Sequence, residues 1–313
     1  NIALLETSDA SAYDEEYVEN ILIPINNSDT TDDLINLGII AKSKNNTNGL
    51  YALSIVDDYE MGSSADKHAR KILEHATVTA SATDNTIHTL LRYDINIVNG
   101  ISSVAKEHKI TDLILGLHIK KGLSDSFLGN LTEGILSKCN PTTLIYKSHQ
   151  PFGTIKRHVI IVPAHAEKEI GFPFWLTKVW NIAKNSSAKL IFFATKETKI
   201  AVDALQVKNP IAYEFKEFKD WNTFLELKSE FQKDDNLVIV LSRKDKPSYD
   251  SNMSKIPSYL NKYFNAMSYL LVYPMQVGAN ESSLIDLTNP TLKEPFDKID
   301  ELGHTIAKIL KRK

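Results

Sequence analysis

A lone cysteine, Cys139, is the chain's whole supply of thiol. It leaves no internal disulfide framework and no zinc site built from several thiolates, and it fits a reducing, cytoplasmic compartment. No run approaches the roughly eighteen apolar residues that a membrane helix needs. The lead-in NIALLETSDASAYDEEYVEN is acidic, unlike a secretory signal. Basic charge is not in excess either: a formal net charge of -3 lacks the electrostatic footprint of a nucleic-acid partner. A GxSxG elbow and a GxxxxGKS/T phosphate loop are both missing, which removes two common catalytic frames.

What is present is enough apolar residue, 42% over 313 positions, for two cores of ordinary size. Short β-branched runs bounded by turn residues predict strands at 21–25, 50–56, 86–91, 112–117 and 142–146. Between them, apolar residues at three- and four-residue intervals, such as Leu34, Leu37 and Ile40, predict helices over 29–42 and 65–80. Strand alternating with helix specifies a parallel sheet. The order then returns with strands at 158–162, 189–194, 211–215, 237–241 and 269–273, and with only a short helix over 195–207. Ile21-Leu22-Ile23-Pro24 is answered by Val159-Ile160-Ile161-Val162-Pro163, and Leu144-Ile145-Tyr146-Lys147 by Leu271-Val272-Tyr273-Pro274. So long a period indicates duplicated domains, since solenoid units run to roughly 20–50 residues. The division is a linker over 1–20, a first domain over 21–148, a second and degenerate domain over 155–274, and a C-terminal extension over 275–313. That extension carries a helical pattern at 296–310, with Ile299, Leu302, Ile306 and Ile309 along one face.

The segment DLILGLHIKKGLSDSFLGNLTEGILSKCNPTTLIYK, residues 112–147, is the most informative. It resembles the universal stress proteins, which follow their fourth strand with a glycine, two residues, a second glycine, nine residues, and a third glycine before Ser or Thr. Gly116 and Gly129 fall on the first and third glycines, Ile119 stands at the second, and Asn130 at the hydroxyl position. The resemblance implies two Rossmann-like, adenine nucleotide α-hydrolase-like domains. Each would be a five-stranded parallel sheet with helices on both faces, the two paired through their fifth strands as a pseudo-dimer. In nucleotide-binding members an Asp after the first strand meets adenine; Asn26 stands there. The implied ligand is ATP or AMP in the first domain, on Asn26, Gly116, His118, Gly129 and Asn130.

A glycine at a strand end lets backbone approach a base or ribose, and one at a helix start leaves amides and the positive dipole end open to phosphate. Ile119 narrows such a pocket, and Asn26 offers a neutral oxygen where Asp would offer a charge. The second domain has no glycine between Ser242 and Tyr273, so no phosphate site is expected there.

Tandem domains of this kind, with degenerate glycines and the string ILIPINN, are similar to the cytoplasmic C-terminal region of bacterial cation/proton antiporters of the monovalent cation:proton antiporter-2 type, sodium/proton exchangers among them. The resemblance implies a regulatory, non-enzymatic module joined to a membrane antiporter domain, able to pair as a homodimer. The opening on Asn1 is what a piece cut from behind a membrane region would show. A free-standing stress protein binding ATP or AMP is the alternative. Lys120 and Lys121 read as solvated, His68 and His75 as surface residues of one helix, His165 as a loop residue at a strand end, Cys139 as an inert buried thiol, and Trp175, Trp180 and Trp221 as helical core.

Overall fold

Parallel strands buried on both faces need near-continuous apolar sequence, and the chain supplies it in its inner strands. The computed structural model describes residues 18–117, 128–206 and 211–276. In chain order the elements are β1 (Ile21–Pro24), α1 (Ser28–Ala41), β2 (Leu50–Val56), α2 (Ser64–Ser81), β3 (His88–Tyr93), α3 (Ile97–Glu107), β4 (Asp112–Gly116), α4 (Gly129–Lys138) and β5 (Thr142–Lys147). The second half continues with β6 (Arg157–Ile161), α5 (Phe172–Ser186), β7 (Lys189–Ala194), α6 (Lys196–Gln206), β8 (Tyr213–Glu217), β9 (Asp235–Val240), α7 (Ile256–Tyr263) and β10 (Ser268–Tyr273).

The strands form one sheet in the order β3-β2-β1-β4-β5-β10-β9-β6-β7-β8. Each half is parallel throughout, and the halves meet through one antiparallel ladder that pairs Leu271 with Ile145 and Tyr273 with Thr143. The fifth strands pair as the resemblance implies, and the two five-stranded units thereby form one continuous sheet. Two fifth strands with unpaired N–H and C=O groups would each be an open edge, and pairing them removes both.

Side chains alternate across this sheet. Ile23, Ile114, Leu144, Ile160, Val238 and Leu270 join α1, α2 and α5 in one core. Leu22, Leu113, Ile145, Ile161, Ile239 and Leu271 join α3, α4 and α7 in the other. Both cores run through both halves. Trp175, Trp180 and Trp221 are buried, as their spacing predicts, and so is Cys139, whose thiol burial pushes above its usual value. Trp221, however, opens a 3₁₀ run, Trp221–Glu230, where periodicity predicts an α-helix. The outermost strands β3 and β8 lie two residues later than the pattern 86–91 and 211–215 suggests. Packing on one side only leaves their apolar signal weak. The helical pattern at 296–310 lies outside the described residues.

His158, in β6, illustrates the cost of burying an ionisable group. Its Nε2 lies 2.9 Å from Ser186 Oγ and its Nδ1 3.1 Å from Asn236 Nδ2. Because Ser186 Oγ donates to the Ile182 carbonyl, the neutral ring satisfies both contacts by donating from Nε2 and accepting at Nδ1. Burial pushes its pKa down to about 4, against a small opposing pull from Asp235. Unfolded chain therefore binds the proton first as pH falls, so stability should drop by about 3 kcal/mol between the ordinary histidine value and pH about 4. Urea unfolding across that range should show the slope in the wild type and a clearly smaller one in His158→Gln.

Candidate functional site

In an open α/β sheet, ligands bind beyond the carboxyl ends of strands where the strand order reverses. This sheet has two such points, between β1 and β4 and between β6 and β9. The antiparallel join at β5 and β10 places them at opposite ends of the strands.

At the first point, Ile21 pairs with Asp112 and Leu22 with Leu113, so β1 and β4 run out side by side. Gly116 closes β4, and Leu117 donates its N–H to the Tyr146 carbonyl. Asn26 follows β1 and is exposed, while Asn27 caps α1 by accepting from the Asp29 N–H at 2.9 Å. The two strand ends bring Asn26 and Gly116 to one crevice. Gly129 opens α4 at φ +74°, in the left-handed region, and a Cβ built on it would meet nothing within 4 Å. Leu128 offers no side-chain cap there, and Asn130 is exposed. The helix start is thus a left-handed glycine turn. Ile119, Lys120, Lys121 and the predicted site residue His118 lie outside the described residues.

The second point is filled. After β6, His165 adopts φ 65° and the chain turns to place Glu169 in the interior, 4% exposed. Ser242, just past β9, donates to Glu169 Oε1 at 2.6 Å, and Ser248 donates to the same oxygen. Gln276 approaches Oε2 at 3.5 Å. Next to this cluster, a Cβ on Gly171 would stand 2.6 Å from Met275 N and 2.8 Å from Met275 O. The Pro274–Gln276 strand exit can therefore close over the crevice. A buried carboxylate at this spot has the wrong sign for phosphate.

Helix α4 joins the two places. Its glycine start follows β4, whose end borders the first crevice. At its other end Arg243, from the loop after β9, donates through Nη1 to the Leu136 carbonyl and to the Cys139 carbonyl at 3.0 Å. Burial pulls the Arg243 pKa below its usual value. Spacing alone singled out none of Glu169, Ser242, Arg243 and Ser248. The glycine-free run LSRKDKPSYD was the only signal, and it pointed to an absence.

Residues 18–147 match the universal stress protein family. Three solved structures share the fold of the universal-stress-protein-like domain and of the half that follows it. The cytoplasmic domain of a prokaryotic cation chloride cotransporter is 12% identical, with a TM-score of 0.55 over 86% of this chain and 100% of its own. A universal stress protein from Archaeoglobus fulgidus DSM 4304 is 12% identical, with a TM-score of 0.52 over 83% and 98%. A protein of unknown function from Pseudomonas aeruginosa PAO1 is 12% identical, with a TM-score of 0.53 over 94% and 98%. At such identity the likeness carries the fold alone. No curated protein matches the chain.

The Gly171 contact can be tested. Gly171→Ala should cost about 1–3 kcal/mol, since backbone must move to admit the methyl. Hydrogen exchange should also speed at the Gln276 amide, which now donates to the Asn140 carbonyl at 2.9 Å. Unchanged exchange at Gln276 would show that the exit does not rest on this glycine.

Proposed function

We propose that this chain is a cytoplasmic regulatory and ligand-sensing module, non-enzymatic, that acts on a membrane cation/proton antiporter to which it is joined. The observation that carries the reading is the asymmetry of the two crevices: one keeps a helix start opened by a left-handed glycine, and the other is occupied by Glu169 and two serines. A duplicated fold with one crevice open and one shut suits a sensor, in which a ligand at one site shifts the balance between arrangements of the whole. The likeness to the cytoplasmic domain of a prokaryotic cation chloride cotransporter supports attachment to a transporter. No helix among the described residues is long and apolar enough to cross a membrane.

The ligand of the open crevice is an adenine nucleotide, ATP or AMP, with Asn26 and Gly116 at the base and ribose and Gly129 with Asn130 at the phosphates. A free-standing stress protein binding the same nucleotide is the second reading, favoured by the likeness to the Archaeoglobus fulgidus universal stress protein.

Calorimetric titration with ATP, AMP and cyclic dinucleotides tests the site. Saturable binding of an adenine nucleotide is expected, weakened at least about tenfold in Gly129→Asp, which puts bulk and negative charge at the helix start. Absence of heat from every nucleotide overturns the ligand assignment. Transport by the joined protein in vesicles, unchanged by Gly129→Asp with and without nucleotide, overturns the regulatory one.

A further inference from the structure

The seam between the halves holds a buried charge cluster that neither crevice uses. Lys178, on α5 of the second half, points its ammonium at two carboxylates of the first. Asp112 Oδ2, at the start of β4, is 2.9 Å away, and Glu19 Oε1, on the segment leading into β1, is in direct contact. Side-chain exposures of 3%, 7% and 1% for Lys178, Glu19 and Asp112 put the cluster out of water.

The two carboxylates are not equivalent. Glu19 takes four donors: Lys178 Nζ and Ser43 Oγ (3.0 Å) on Oε1, Ser43 N–H (2.9 Å) and Asn46 Nδ2 (2.6 Å) on Oε2. Asp112 takes its contacts on Oδ2 alone, while its buried Oδ1 has no hydrogen-bond partner among the described residues. Thr111 Oγ1 lies 2.6 Å from Asp112 Oδ2 and 3.1 Å from the Asn20 carbonyl, and has one hydrogen to give. A neutral Asp112 can donate to Thr111 Oγ1 and free that hydrogen for Asn20, so both contacts are kept.

We propose that Asp112, Lys178 and Glu19 form a one-proton switch in the seam. With Asp112 neutral the cluster carries no net charge and locks residue 19 to α5; with Asp112 ionised two carboxylates compete for one ammonium and the lock loosens. The proton passes between the Asp112 carboxyl and solvent. Because one net charge in a dry site is costly, a single proton is sufficient leverage. The switch is independent of what the open crevice binds.

Other described groups stand around the seam. Lys42, at the end of α1, donates to the Asn46 carbonyl, and His108 with Lys109, before β4, meets Asn20 through backbone carbonyls. From β5, Thr142 pairs beside Asp112 and is neutral. Burial opposes the Glu19 charge, but Lys178, Asn46 and Ser43 outweigh it and hold that carboxyl below its usual value. Burial, with the Glu19 charge and against the pull of Lys178, holds the Asp112 carboxyl above its usual value. For a raised carboxyl the stabilisation is full below the unfolded value and is lost as pH rises through the folded one.

The Ser43 amide, which donates to Glu19, reports the lock. Its hydrogen-exchange protection factor should fall by at least about tenfold as pH is raised from the acidic side through the ionisation of Asp112, and should stay constant in Asp112→Asn, which fixes the neutral form. Glu19→Gln removes a charge that disfavours ionisation of Asp112 and should move the transition to lower pH. Infrared spectra of the unaltered protein should show a protonated carboxylic acid at the acidic end that disappears over the same pH range, a readout that survives even if Asp112→Asn fails to fold. Protection of Ser43 that does not vary with pH, an equal fall in a folded Asp112→Asn, or no protonated acid band would each overturn the switch.

Discussion

The antiparallel ladder between β5 and β10 is the contact on which the rest of the molecule depends. Two parallel five-stranded units each end in a strand with one edge bare, and a bare edge in a buried sheet leaves a row of amides and carbonyls unpaired. Pairing Tyr269 through Tyr273 with Thr143 through Lys147 satisfies both rows at once. It also makes each core continuous across the halves, so Leu144 and Leu270 share one face while Ile145 and Leu271 share the other. Neither half has a fully covered interior without its neighbour.

That ladder has a geometric consequence for the two crevices. Antiparallel pairing turns the halves end for end, so the carboxyl ends of the first half's strands lie where the amino ends of the second half's strands lie. Helix α4 runs between the two levels, with a glycine start at one and a guanidinium cap at the other. On the opposite face, α5 reaches back to the first half through one stripe of polar side chains. Lys178 holds Glu19 and Asp112, Asn181 donates to the Ala41 carbonyl at 3.0 Å, and Asn185 donates to the Ile40 carbonyl at 2.8 Å. The last two satisfy carbonyls at the end of α1 that its own helix leaves open. Each such bond is worth about 1 kcal/mol net, so their weight lies in register more than in stability.

The two halves differ in what lies beyond their strand ends and not in their strand order. In the first half a left-handed glycine opens α4, whereas beyond the β6 and β9 ends of the second half a carboxylate, two hydroxyls and the exit from β10 occupy the volume. The buried carboxylate of the second arrangement repels an anion.

Ten strands, their alternation with helices, the return of the strand order in the second half, and the place of Gly116 at a strand end and Gly129 at a helix start were all legible in the sequence. Each rests on local periodicity or on a residue whose backbone freedom is written in its own chemistry. Periodicity weakened where packing is one-sided, at β3 and β8, and at Trp221, where aromatic burial supports a 3₁₀ run as well as an α-helix. Only the tertiary structure decided that Glu169 turns inward and that Lys178 meets Glu19 and Asp112 across 159 positions of chain from the former. Charge alone cannot foretell such pairings. A lysine inside an apolar helix and two acids at strand entries read as separate until the antiparallel join brings them together and excludes the water that would have screened them.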